Sequence, residues 1–209
     1  DFTSIFFIND STGWITGYNG TILKTTNRGT VWEIQNSGTS KHLSDVFFIN
    51  DSVGWIVGQA YGGYMNRGII LHTENAGTSW QIQIDEGINN LRSVYFVNDS
   101  VGWEVGENGT IEYTENRGIN WAEQESGTDD VLTQVQFISP QKGWISVDYS
   151  TQGHYEVKFL KTYNAGITWI PLVDPLQFSV YAGFHFSDSL NGYATGFGSY
   201  VTSKVILKT

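Results

Sequence analysis

One twelve-residue phrase governs what this chain can fold into, because it is written five times. FFINDSTGWITG (Phe6 to Gly17) returns as FFINDSVGWIVG (Phe47 to Gly58) and as YFVNDSVGWEVG (Tyr95 to Gly106). Looser copies are QFISPQKGWISV (Gln136 to Val147) and HFSDSLNGYATG (His185 to Gly196). A glycine-aromatic pair marks each copy, ending in Trp14, Trp55, Trp103, Trp144 and Tyr193, at spacings of 41, 48, 41 and 49. A period in that range is the signature of stacked or radial repeat architectures, in which each unit buries its apolar face only against its neighbours.

A second signature follows the first four copies: TTNRGTVW (Thr25 to Trp32), TENAGTSW (Thr73 to Trp80), TENRGINW (Thr114 to Trp121) and TYNAGITW (Thr162 to Trp169). Between the signatures lie short β-type runs and turn chemistry, with no helical period. In the first unit the strands are read as SIFFI, GWITG, TILKT and VWEIQ. Four short strands in 40–50 residues is the pattern of a propeller blade, with aromatic side chains filling the space between blades. The expected fold is an all-β propeller in a single domain, residues 1–209. Its blades fall near 1–42, 43–89, 90–130, 131–176 and, incomplete, 177–209.

The eight-residue signature resembles the Asp-box, Ser/Thr-x-Asp-x-Gly-x-x-Trp, of bacterial neuraminidase-repeat propellers. The whole unit is similar to the photosystem II stability/assembly factor branch of that superfamily, which is also common in secreted bacterial proteins. Asparagine replaces the name-giving aspartate in all four boxes, at Asn27, Asn75, Asn116 and Asn164. The box chemistry is readable on its own terms. Asn hydrogen-bonds backbone further along and so holds a tight turn. Gly29, Gly77, Gly118 and Gly166 permit positive φ. Trp32, Trp80, Trp121 and Trp169 are expected to pack under the next strand. These are fold staples; a neutral Asn suits a hard cation poorly, so no metal is expected at them. Asn-Asp-Ser at 9–11, 50–52 and 98–100 reads as a cap on the hairpin between the first two strands.

Composition narrows the function. Eleven Lys and Arg stand against 21 Asp and Glu, a net charge of −10. A nucleic-acid partner asks for a basic footprint, so none is expected. No run approaches a membrane span, so no membrane insertion is expected. Without cysteine, thiol catalysis and Cys-ligated zinc are excluded. No cofactor is expected. The only methionine is Met65, so Asp1 is read as a processed or trimmed start. The resemblance implies a secreted, cell-surface or periplasmic bacterial setting.

Sialidases, the best-known enzymes sharing the box, clamp a substrate carboxylate with an arginine triad. This chain has four arginines, and Arg28 and Arg117 sit in box turns. Only Arg67 and Arg92 remain, too few for a triad on one face. The third unit carries the one break in the apolar columns. Glu104 stands where the other units have Ile15, Ile56, Ile145 and Ala194; Glu112 stands where they have Leu23, Leu71, Leu160 and Leu207. With Glu107 nearby, the readings are an acidic patch binding a cation or partner, a solvated or salt-bridged surface, or a glycosidase pair.

The spacing difference has one cause. Units one and three join their second and third strands by Asn19-Gly20 and Asn108-Gly109, a favoured two-residue turn. Units two, four and five insert longer loops there. Those loops bring Tyr61, Tyr64, Arg67, Tyr149, His154, Tyr155, Phe197 and Tyr200 to one face. Tyr-rich loops on a rigid scaffold suit a binding surface for a protein or a glycan. The expected function is therefore a non-catalytic binding scaffold. The alternatives are a structural subunit that self-associates through the open edge of the fifth blade, and a glycoside-active enzyme using Glu104 and Glu112.

Overall fold

The computed structural model describes residues 1–59, 68–84, 88–151, 154–172, 180–188 and 191–197, with backbone only for 149–158, 180–182 and 195–197. The order of strands follows the repeats. A first sheet holds β1 (Phe2–Phe7), β2 (Gly13–Gly17), β3 (Ile22–Thr25) and β4 (Glu33–Gln35). A second holds β5 (His42–Phe48), β6 (Gly54–Gln59), β7 (Gly68–Thr73) and β8 (Gln81–Ile84). The third holds β9 (Leu91–Phe96), β10 (Gly102–Gly106), β11 (Ile111–Thr114) and β12 (Ala122–Glu123). The fourth holds β13 (Val131–Ser139), β14 (Lys142–Thr151), β15 (His154–Thr162) and β16 (Ile170–Leu172). The fifth shows β17 (Val180–Phe186) and β18 (Gly192–Phe197). Each complete sheet is an antiparallel meander in chain order. The first strands of successive blades lie side by side around a common axis.

The seams between blades are built from one recurring stack. Trp14 of the first blade lies flat on Phe48 of the second, with ring centroids 3.5 Å apart. Trp55 lies on Phe96 at 3.6 Å, Trp103 on Phe137 at 3.6 Å and Trp144 on Phe186 at 4.2 Å. The box tryptophan then meets the same ring edge-on: Trp80 on Phe48, Trp121 on Phe96 and Trp169 on Phe137. The box tryptophan thus packs on its own blade's first strand rather than under the next one. Trp32 meets Phe7 the same way in the first blade, 5.9 Å apart and with no tryptophan stacked on that ring among the described residues, so the edge-on contact belongs to the blade itself. The glycine before each Trp has a steric reason. A Cβ on Gly102 would lie 2.6 Å from the Phe96 ring, so only bare backbone fits.

Local chemistry sets the strand limits. Asn27 Oδ1 accepts the backbone N–H of Val31 and the Thr25 hydroxyl, and Thr25 Oγ1 accepts the N–H of Gly29. The box therefore occupies Val31 and Trp32, and β4 starts at Glu33 rather than at Val31 as the sequence suggests. The same bonds recur at Asn75, Asn116 and Asn164. Two successive residues in each box have positive φ, such as Ala76 (58°) and Gly77 (79°). In the Asn-Asp-Ser turns, Asn9, Asn50 and Asn98 each accept two backbone N–H groups across the hairpin. Boxes bond to these turns, as in Ala76 N–H to Ser52 O, and so share one end of the propeller. The Asn-Gly turns bond to the blade-to-blade connections at the other end, as in Gly109 N–H to Asp130 O.

Candidate functional site

Two places gather unusual chemistry: the axis and the seam between the second and third blades. The first strands enclose a cavity of about 890 Å³ on the axis. Its wall is organised by two residue columns. In the first, Ser4 and Ser93 both donate to the carboxylate of Asp45, at 2.7 and 2.9 Å, and the Val94 N–H adds a third bond from outside its own strand. Three blades are thereby joined through one side chain. Burial raises Asp45 above the usual carboxylate range, and the hydrogen bonds from Ser4, Ser93, Val94 and Val46 work against that rise. Gln134 continues the column, exchanging two hydrogen bonds with the Phe184 backbone.

The second column is aromatic. Phe6 meets Phe47 at 5.3 Å, and Phe47 meets Tyr95 at 4.9 Å. Gln136 and His185 take over on the remaining blades, 3.2 Å apart. Burial raises the Tyr95 phenol above its usual range. Near the Asn-Gly end, Arg92 donates to Glu107 at 2.6 Å, and Asn90 holds the other oxygen of Glu107. Burial first, and the Arg92 charge second, lower the pKa of His42.

The three glutamates singled out by the sequence do not form one patch. Glu107 belongs to the Arg92 pair, because its backbone has left the β10 ladder and turns toward the axis end. Glu104 and Glu112 are directly opposed across β10 and β11, and Glu123 opposes Glu112 on β12. Direct cross-strand partners share a face. Glu104 is 0% exposed, so neither solvent nor a counter-charge on the surface reaches it. Neither of its oxygens meets a protein N–H or hydroxyl. Its pKa is pushed well above the usual range by burial, then by hydrogen bonding to and repulsion from Glu112. A glycosidase needs two carboxyls flanking an open cleft; here Glu104 is wholly enclosed and only Glu112 is partly exposed.

Of the loop residues read as a binding face, Tyr61, Tyr64, Arg67 and Tyr200 lie outside the described residues, as do the side chains of Tyr149, His154, Tyr155 and Phe197. The backbone does correct one expectation. The insertion of the fourth unit is a strand extension, not a loop: β14 and β15 stay paired to Thr151 and His154, with Tyr149 opposite Glu156. The box arginines sit at the rim; Arg28 is exposed, and Arg117 pairs with Asp99 and Glu74. Among the described residues, no group of three or more metal-ligating side chains forms, and no helix is long and apolar enough to cross a membrane.

Sequence reasoning missed Asp45, which is disguised among Ser4, Ser93 and Gln134 in its column. It also missed a clasp between blades. Gln35, Gln83 and Gln124 donate to the box carbonyls of Ala76, Arg117 and Ala165 on the following blade, at 3.3, 3.0 and 3.0 Å. The signal was present, since each glutamine lies three residues after a box tryptophan.

Comparison with known proteins agrees with this geometry. Residues 1–90 match the sequence profile described as photosynthesis system II assembly factor YCF48. A solved structure titled "YCF48 bound to D1 peptide" is 17% identical over 93% of this chain and 90% of that one, with a TM-score of 0.54. An ancestral GH74 enzyme gives a TM-score of 0.70 at 15% identity, over 92% of this chain but 27% of that one. The GH74 enzyme of Niastella koreensis gives 0.66 at 14% identity, over 93% and 34% respectively. This chain therefore spans about a third or less of those enzymes. Among curated proteins, no match is found.

Proposed function

We propose that this chain, a β-propeller of the bacterial neuraminidase-repeat type, is a non-catalytic scaffold that holds a protein partner in its axial cavity. One observation carries the reading. The axial cavity is walled by aromatic rings and by side chains already committed to blade-to-blade bonds, while the glutamate pair is turned away into a seam. A rigid aromatic wall offers contact area at little entropic cost, which favours binding over turnover. The likeness of the first two blades to an assembly-factor repeat supports a polypeptide as the partner over a glycan. The Asn-, Ser-, Thr- and Gly-rich, Lys-poor composition suits a secreted, cell-surface or periplasmic bacterial location.

The test is an array of extended peptides probed with the purified chain. Binding is expected to weaken about tenfold or more in Phe47→Ala, as for a central aromatic contact. It is expected to be unchanged in Arg117→Ala, in the peripheral box between the two outer strands β11 and β12. Oligosaccharide binding with the same Phe47 dependence, or hydrolysis of an aryl glycoside lost in Glu104→Gln, would overturn the reading.

A second reading, self-association, is favoured by one observation. The first blade leaves Phe2 64%, Ile5 60% and Phe7 41% exposed, although their counterparts Leu43, Val46 and Phe48 are buried. Tyr193, in the column of the stacking tryptophans, is 58% exposed. A second copy is the occupant that would repeat the known seam, Tyr193 on Phe7. Sedimentation that stays monomeric over a wide concentration range would dismiss it.

A further inference from the structure

The third blade departs from its own repeat at one spot, and the structure shows what surrounds it. Val94, the β9 partner of Glu104, belongs to the apolar cluster of the seam between the second and third blades, with Trp55, Val57, Ile70, Leu91 and Phe96. The seam on either side of it has Ile56 and Leu71, or Ile145 and Leu160, at the equivalent positions, all buried. Two carboxyls therefore replace two buried aliphatic side chains at an otherwise apolar joint, Glu104 wholly enclosed and Glu112 half-buried with its Oε2 enclosed. Among the described residues, neither Arg nor Lys pairs with them. Of the titratable groups on packed elements, Glu123 flanks Glu112 on β12, and Asp45 reaches the Val94 N–H from β5. His72 comes from β7, cross-strand to Trp55. Among the described residues, none of these is an ion-pair partner of Glu104.

We propose that Glu104 and Glu112 are a proton-operated latch on the seam between the second and third blades. While the pair holds a proton, one carboxyl donates to the other and the joint stays closed. When that proton leaves to bulk water, two adjacent carboxylates remain in an apolar seam with no cation, and the blades separate more readily. The sign follows from the direction of the Glu104 shift, whose folded value lies above the usual 4.5. The folded state holds the proton more tightly than the unfolded state. The stabilisation is complete at or below about pH 4.5 and is lost as pH rises through the folded value. His42 and His72 act oppositely: burial lowers both, so their neutral forms favour the fold, a contribution present above about pH 6.5 and lost as pH falls from there through the folded values. A single pH curve of the wild type mixes these effects, whereas a difference between variants isolates the pair.

The experiment is urea unfolding of the wild type, Glu104→Ile and Glu104→Gln at pH 5, 7 and 9. The Ile variant restores the residue of three sister blades, and the Gln variant keeps shape while removing charge. The folding constant of each variant relative to the wild type is expected to grow with pH, by up to about tenfold per unit while Glu104 titrates. Amide exchange, corrected for its intrinsic pH dependence, should rise with pH in wild-type β6 and β10 more than in β2 and β14, and not in either variant. If Glu104→Ile does not fold, the Gln variant reads the same difference. A variant-to-wild-type ratio that is constant with pH, or faster exchange spread evenly over all blades, would overturn the latch.

Discussion

Asn75 shows how much a single side chain does in each box. Its Oδ1 accepts the Ser79 N–H and the Thr73 hydroxyl, and its amide donates to Ser79 Oγ. An aspartate offers the same two acceptor contacts and loses only the last bond. Asn75→Asp is therefore expected to unfold in urea within about 1 kcal/mol of the wild type, and Asn75→Ala to lose about 1–3 kcal/mol by orphaning a turn N–H. Gly77→Ala should be worse than a loss of turn freedom alone. Its φ is +79°, and the new Cβ would lie 2.2 Å from Gln35 Oε1, so the change strains its own turn and pushes on the clasp from the first blade. These residues were legible in the sequence because every bond closes within four positions. Gln35 was overlooked, because its partner carbonyl at Ala76 is 41 residues away and only its recurrence three residues after each of three box tryptophans marks it.

At the scale of the strand and the seam, Phe96 is enclosed on three sides: the flat face of Trp55, the edge of Trp121 and the bare backbone of Gly102. Removing its ring empties a pocket that no neighbour can fill. Phe96→Ala is expected to cost about 3–5 kcal/mol in urea unfolding. Trp55 and Trp121 emission should shift to the red as water enters. The sequence showed that aromatic columns exist and that strands alternate around them. It did not show which tryptophan lies flat and which stands on edge, since that depends on two blades meeting. It also read the longer spacing of the fourth unit as a loop insertion, whereas the polar Glu156 and Tyr155 continue the β15 pairing. Long hairpins tolerate such residues when both strands are already in register.

For the molecule as a whole, the apolar face of the first blade makes a prediction that does not depend on any partner. Phe2, Ile5 and Phe7 form an exposed patch of a kind that mediates contacts or aggregation. Ile5→Lys with Phe7→Lys is expected to reduce binding of a hydrophobic dye several-fold and to lower any concentration-dependent increase in mass. The same substitutions at Val46 and Phe48 should prevent folding. The propeller itself was legible from recurrence, because five copies of one phrase leave few other ways to bury eight tryptophans. The axial site was not, because Ser4, Asp45, Ser93 and Gln134 put three different residue types in one column. Their common role appears only when the first strands converge.

The glutamine clasp has a direction: each of the first three blades reaches forward to the box of its successor, and among the described residues no clasp glutamine reaches back. Blades joined this way behave like links of one gauge. Any unit with a glutamine three positions after its box can precede any unit with a free box carbonyl. Duplication, deletion or reordering of whole units then requires no new joint to be invented. The third unit is the exception. Moved elsewhere in the order, it would carry its two carboxyls to a different neighbour, so its place in the sequence of blades is the one that rearrangement would disturb most.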